Sequence, residues 1–486
     1  MNDHANFGCG IPDADYGSRM RYYYLATRFE QRTKIIVPAQ QNNGNRSGGF
    51  SDMTREHKRT RRFARALAHR AGAIILGLGL GLIVCEVGLR VMGIGYPVFY
   101  RPDQYCGASL REGAEGWYRG ETKNYIRISS QGLRDREHSV AKPAGTYRIA
   151  VLGDSFTEAF HVHPEEAFWS VMEREMAPAM AKEGRTVEVI NFGRGGYGIA
   201  QELLTLRHRV WSFSPDLVIL AFFAGNDVRN NSRLLNREDR IPYFVHGEGG
   251  LVLDDSFLAW YRSRQGPLAE LYYSLLNYSR VLQAFKAGRY ALARYEMLLQ
   301  RRDLARSSGL DEFGLDSIVY REPRDENWKE AWSVTEDLLR TMNTEVTQHG
   351  ASFLVVTLST GDQVYPDSNR RKSLANQLEV ADLFYPERRI KSLGKREGFA
   401  VLNLAPPLQS YADQTGIYLH GFGAQIGTGH WNKEGHRIAG ILIAKTLLDK
   451  SLDPLENPLA NPTKLAKPWA RTDVKEGPFL LIRSVK

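Results

Sequence analysis

Residues 147–158 read Tyr-Arg-Ile-Ala-Val-Leu-Gly-Asp-Ser-Phe-Thr-Glu. Tyr147 to Leu152 is a short, mostly apolar run of the kind that forms a buried strand, and Gly153-Asp154-Ser155 breaks it with residues that favour a turn and a helix start. Working outward, Glu165 to Lys182 reads as a helix, Thr186 to Asn191 as a strand, Ala200 to Trp211 as a helix and Asp216 to Ala224 as a buried strand. This is a βαβαβ pattern. Downstream it resumes with a helix over Asn327 to His349, a strand over Ala351 to Leu358, a helix over Pro386 to Glu397, a strand over Phe399 to Leu404 and a closing helix over Glu434 to Leu448. Strands alternating with helices predict an α/β domain with a mostly parallel sheet covered on both faces.

The region from Asn230 to Arg324 departs from that rhythm. It carries a Leu/Tyr-rich helix near Leu268 to Tyr290 and reads as an insertion that forms a cap or side wall. The predicted organisation is a polar and basic segment over 1–70, a membrane helix over 71–92, a linker and N-terminal extension over 93–146, the α/β domain over 147–450 with its insertion at about 230–324, and a tail over 451–486. The Pro- and Lys-rich tail is expected to wrap the surface. Met53 stands directly before the basic cluster, so translation is read as starting at either Met1 or Met53.

A chain of 486 residues with 43% hydrophobic and 24% charged residues, 45 glycines and 20 prolines excludes wholesale disorder, collagen and coiled coil. The three cysteines, Cys9, Cys85 and Cys106, form no disulfide framework or metal-binding pair. The net charge of +9 is concentrated: Arg55, Lys58, Arg59, Arg61, Arg62, Arg65 and Arg70 face one acid, Glu56, in a single short segment. That concentration speaks against a nucleic-acid surface and for a membrane flank. The next 22 residues, Ala71 to Met92, are apolar apart from Glu86 and Arg90 and would span about 33 Å as a helix. One transmembrane helix is predicted, with the basic end cytoplasmic; a buried core helix is the alternative, and Glu86 must snorkel or find a partner.

In doubly wound sheets, ligands bind beyond the carboxyl ends of the strands. Gly153-Asp154-Ser155 follows the first strand, Asn191-Phe192-Gly193-Arg194-Gly195-Gly196-Tyr197-Gly198 the second, and Gly225-Asn226-Asp227 the third; Gly429-His430 precedes the last helix. A serine hydroxyl needs a base to become nucleophilic and donors already aimed at the oxyanion it creates. Ser155 is the candidate nucleophile and His430 the general base. The N–H groups of Ser155 and Gly196 with the Asn226 amide are the candidate oxyanion hole. The plainer readings are Ser155 as a helix cap, Asn226 as a turn residue and His430 as a loop histidine. His161 and His163 follow Ser155 too closely to be its base and read at most as pocket walls, and His436 reads as a helix-surface residue. Gly193, Gly195 and Gly198 also spell the dinucleotide fingerprint, but the acid that should follow at the end of the next strand is missing: Asp216 lies at that strand's start.

These four blocks, in this order, resemble the SGNH (GDSL-type) hydrolase family over roughly Tyr147 to Leu448; the Ile128 to Arg136 stretch and the single N-terminal span resemble its membrane-anchored bacterial members. The resemblance implies a flavodoxin-like three-layer α/β/α fold and hydrolysis or transfer of ester-linked acyl groups with neither metal nor cofactor. It further implies a bacterial inner-membrane protein whose catalytic domain is periplasmic or extracellular and whose substrate is an acyl ester, such as a cell-envelope polysaccharide or lipid, with no nucleic-acid partner. A polysaccharide O-acyltransferase or deacetylase, and a non-catalytic carbohydrate-binding scaffold, are the alternative functions. One departure stands out. The family places an aspartate three residues before its histidine, and here that residue is Gly427. A Ser-His dyad oriented by a backbone carbonyl, an acid from elsewhere such as Asp413, or a weakened site are the three readings; Asp154 and Asp227 are further supporting candidates. Trp328 and Trp332, four apart on a predicted helix, fit either a sugar site or a buried face.

Overall fold

The structure is a computed structural model that describes residues 50–305 and 316–452. The expectations for Cys9, for residues 1–49 and for the tail beyond Leu452 lie outside the described residues. Two compact units emerge. Among the described residues, Pro97–Tyr273 with Ala305 and residues 316–452 form one, and residues 50–96 with Ser274–Leu304 form the other.

Helix α1 (Phe50–Val91) runs unbroken for 42 residues, so the basic cluster and the apolar run belong to one helix. Ile74, Ile75, Leu76 and Leu78 are each more than 60% exposed. The apolar stretch of α1 is thus not a core helix of this chain; it is long and apolar enough to cross a membrane.

In the larger unit, residues expected to act as a linker instead form two antiparallel hairpins: β1 (Tyr100–Asp103) with β2 (Gly107–Leu110), and β3 (Glu115–Arg119) with β4 (Lys123–Arg127). Their inward residues Phe99, Leu110, Ala114, Ile126 and Ile128 make a small core around Phe160. The α/β body follows: β5 (Thr146–Gly153), the single turn α2 (Ser155–Glu158), α3 (Phe168–Lys182), β6 (Thr186–Asn191), α4 (Ile199–His208) and β7 (Leu217–Phe222). The insertion holds the hairpin β8 (Tyr243–Gly247) and β9 (Gly250–Asp254), then α5 (Pro267–Tyr278) and α6 (Arg280–Ala305). The one helix expected near Leu268 to Tyr290 is therefore two. Ser279 separates them because its Oγ accepts the Leu282 N–H and caps α6. The body closes with α7 (Glu326–Gln348), β10 (Ser352–Thr357), α8 (Tyr385–Glu397), β11 (Ala400–Asn403) and α9 (Lys433–Leu448).

The five central strands are all parallel in the order β6-β5-β7-β10-β11, the flavodoxin-like doubly wound order. Every residue of β5, β7 and β10 is buried, as a strand covered on both faces requires. Helices α3 and α9 pack together as one layer; α4, α7 and α8 form the other. Trp328 and Trp332 belong to the buried face of α7, with the Arg389 guanidinium 4.6 Å over the Trp332 ring, so they are core residues and line no sugar site. His436, expected on a helix surface, is fully buried between α9 and α3, where its Nδ1 accepts the Phe168 N–H at 3.2 Å.

Candidate active site

Ser155 leaves the carboxyl end of β5 as the first residue of α2. Capping of that turn falls to Asp154, which accepts the Phe156 N–H at 2.9 Å, so the Ser155 hydroxyl is not consumed as a helix cap. It donates instead to His430 Nε2 at 2.8 Å. Because α2 is one turn long, its macrodipole is small, and any help to an oxyanion comes from individual N–H groups.

His430 sits on an extended segment pinned from beside it. His420 bridges to Trp431, the Gly421 N–H donates to the His430 carbonyl at 2.9 Å, and Trp431 Nε1 donates to Ser359 Oγ at 2.8 Å. On its far side, His430 Nδ1 donates to Glu121 Oε1 at 2.7 Å. With Nδ1 carrying the proton, Nε2 is left as the acceptor for the serine hydroxyl. Ser155, His430 and Glu121 thus form a continuous hydroxyl–imidazole–carboxylate line.

Glu121 is the residue that sequence reasoning missed. It occupies the tip of the β3–β4 hairpin, and that hairpin is fastened to the loop after the nucleophile: Thr122 Oγ1 donates to the His161 carbonyl at 2.8 Å, and Asn124 Nδ2 donates to the Phe160 and Val162 carbonyls at 3.2 and 2.6 Å. The alternating Trp117–Arg119 and Lys123–Arg127 runs around Gly120-Glu121-Thr122 signal a hairpin, but nothing local selects one acid among 55. The position three before His430 has no room for an acid. A Cβ on Gly427 would lie 2.5 Å from the Tyr365 ring, and its φ of +91° disfavours a side chain. Asp413, the alternative acid, is paired with Arg371 at 2.8 Å and is 40% exposed, so it orients nothing at His430.

Asn226 begins the turn after β7. Its side chain makes no capping bond; Nδ2 donates to Asp154 Oδ2 at 3.1 Å, which ties the asparagine block to the residue before Ser155. The glycine block rests directly on α2. A Cβ on Gly193 would lie 2.5 Å from Thr157 and 2.8 Å from the Glu158 N, and Gly196 has φ +81°. Two contacts hold this loop. Asn191 Oδ1 accepts the Gly193 N–H at 2.8 Å while its own Nδ2 donates to the Arg134 carbonyl at 3.0 Å, which gives the Ile128 to Arg136 stretch its role. The Glu158 carboxylate, pushed by burial up to about 7, accepts from the Gly195 N–H and from Tyr100 Oη. A carboxylate lying where a pyrophosphate would approach these glycines removes the dinucleotide reading. Asp216 is engaged at the other end of its strand by Lys142 and the Arg148 N–H.

Three buried histidines surround His430. His161 stacks on it, ring centroids 3.9 Å apart and planes 18° apart; His163, which precedes the short helical turn Pro164–Glu166, is exposed. Burial holds His161 well below the ordinary imidazole range, and His420 and His436 at about 3. The neighbours are therefore neutral and place no like charge beside a His430 imidazolium. Glu121, His161 and His430 bring three donor atoms within 4.8 Å of one another. Both ring nitrogens of His430 are already engaged there, Nδ1 by Glu121 and Nε2 by Ser155.

Beneath the site lie Asp154, Glu202 and Asp227, all fully buried. Burial first, then the charge of Asp154 on Glu202 and the charges of Glu202 and Asp154 on Asp227, pushes both well above the carboxylate range, and neither Glu202 oxygen has a hydrogen-bond partner among the described residues. A carboxyl whose folded pKa exceeds its unfolded value costs stability as pH rises above the unfolded value, near 4.3 for glutamate. Glu202→Gln is expected to melt higher than the parent, by a margin that grows from pH 5 to pH 9 and is limited to about 1.4 kcal/mol per pH unit. Thermal melts across that range test this, and a margin independent of pH would show that Glu202 ionises normally in the fold.

No family model and no curated protein matches the chain. Among solved structures it is similar to the acetyl xylan esterase AlAXEase, at 14% identity over 61% of this chain and 98% of that one, with a TM-score of 0.31. It is similar also to LAE5, an alpha/beta hydrolase enzyme from the metagenome of Lake Arreo, Spain, at 11% identity over 63% and 96% of the two chains (TM-score 0.30). A third is a catalytic mutant of Axe2, an acetylxylan esterase from Geobacillus stearothermophilus, at 12% identity over 62% and 93% (TM-score 0.31).

Proposed function

We propose that the chain is a serine ester hydrolase of the SGNH type, carried on a membrane anchor. The observation that supports this most directly is the unbroken line from Ser155 Oγ to His430 Nε2, 2.8 Å, and from His430 Nδ1 to Glu121 Oε1, 2.7 Å. In this reading Ser155 Oγ attacks the acyl carbonyl as His430 takes its proton, and Glu121 stabilises the resulting imidazolium. The oxyanion is received by the Ser155 and Gly196 N–H groups and by the second N–H of the Asn226 amide, the first being held by Asp154. Collapse of the intermediate expels the alcohol with the proton from His430. Water then repeats the sequence on the acyl-serine and releases the carboxylic acid. The exposed apolar face of α1 supports a single membrane span, with the basic residues 55–70 on the cytoplasmic side and the chain from Pro97 across the membrane.

The full-length protein in detergent is expected to hydrolyse p-nitrophenyl acetate and to take up one fluorophosphonate probe on Ser155, read by mass of the labelled peptide. Labelling that persists in Ser155→Ala, or no labelling and no turnover in the parent, would remove the esterase reading and leave a scaffold on this fold.

A further inference from the structure

Glu86 is the one acid in the apolar part of α1, and an uncompensated carboxylate at that depth is costly. It is fully engaged. Oε1 accepts from the Arg280 N–H at 3.0 Å and from Arg90 Nε at 2.8 Å; Oε2 accepts from the Val281 N–H and Ser279 Oγ, both at 3.1 Å. Arg90 also donates to the Tyr278 carbonyl. The turn that joins α5 to α6, Tyr278 to Val281, is thereby bonded to α1 at Glu86 and Arg90. From this turn α6 runs back toward the end of α1, since the Tyr96 N–H donates to Gln283 Oε1 at 3.1 Å. Gln283 Nε2 in turn closes on the Leu276 carbonyl at 2.8 Å and holds the turn tight.

The depth follows from helix geometry. Glu86 lies five residues before Val91, the last residue of α1, about 7.5 Å along the axis. Around the turn, Tyr278 is 73% exposed, Phe285 65% and Leu275 48%. Apolar and aromatic side chains at this level, followed on α6 by the basic Arg280, Lys286 and Arg289, have the composition of a segment seated at the headgroup–acyl boundary.

We infer that the α5–α6 turn is a second membrane-inserting element: it dips into the leaflet beside α1, caps Glu86 there, and places Leu275, Tyr278 and Phe285 in lipid. The inference rests on the reading of α1 as a membrane span. The full chain, with Cys9→Ser and Cys85→Ala to leave only buried Cys106, is reconstituted in phosphatidylcholine vesicles. A nitroxide label is attached in turn at Tyr278→Cys, Phe285→Cys, Ile75→Cys and the exposed loop position Glu248→Cys. Collision of the label with oxygen is compared with collision with a water-soluble nickel complex. Labels at 278 and 285 are expected to favour oxygen several-fold over the label at 248, as the label at 75 does. Labels at 278 and 285 that match the label at 248, while the label at 75 favours oxygen, would overturn the inserted turn and leave the span intact. A label at 75 that also reads as aqueous would overturn the span and the turn together.

Discussion

Glu121→Gln is expected to lower kcat for p-nitrophenyl acetate about 10⁴-fold with little change in KM, the scale on which loss of the orienting acid acts in serine hydrolases. Glutamine preserves the shape of the side chain but not its charge. Its amide also presents a donor as readily as an acceptor to His430 Nδ1, so the proton is no longer held on that nitrogen and Nε2 is no longer reserved for Ser155. Glu121→Asp keeps the charge on a shorter arm and is expected to recover part of the rate. Asp413→Asn is expected to leave the rate unchanged, because Asp413 bonds Arg371 away from the imidazole. Steady-state kinetics on the three variants decides the matter. Parent-like turnover in Glu121→Gln would mean that the hairpin carboxylate is structural and that His430 needs no acid.

The second prediction concerns Ser155 and His430 as a unit. His430→Ala is expected to lower kcat about 10⁶-fold, and adding Ser155→Ala to it to lower the rate no further, since a nucleophile without its base and a base without its nucleophile are equally idle. Rate above buffer that survives in the double variant would belong to the oxyanion donors and to substrate binding. Independent, multiplying losses would instead indicate that the 2.8 Å Ser155–His430 contact is incidental to turnover.

The local reading reached the scaffold because the scaffold is locally encoded. Thr186–Asn191 is the strand its β-branched alternation predicts, and the other central strands differ from expectation only at their ends. The three blocks after β5, β6 and β7 follow from the doubly wound rule, which puts strand ends and ligands on one rim. Reading failed where a helix face or a distant hairpin decides. His436 lies on a helix whose buried face is set by α3, and periodicity does not say which face a partner will cover. The 93–146 segment has strands too short to stand out, and their stability comes from packing around Phe160 and not from propensity.

The order of strands and helices, the serine, glycine, asparagine and histidine blocks and the apolar α1 are properties of short stretches of chain, and the amino-acid sequence by itself determines them through periodicity and turn chemistry. The partner of each charge is different. Which of 55 acids reaches His430, and how Glu86 is satisfied inside an apolar helix, depends on segments 309 and about 195 residues away being brought within hydrogen-bond distance. Only the tertiary structure decides that, because a hydrogen bond is made at about 3 Å in space and carries no record of its partner's place in the chain.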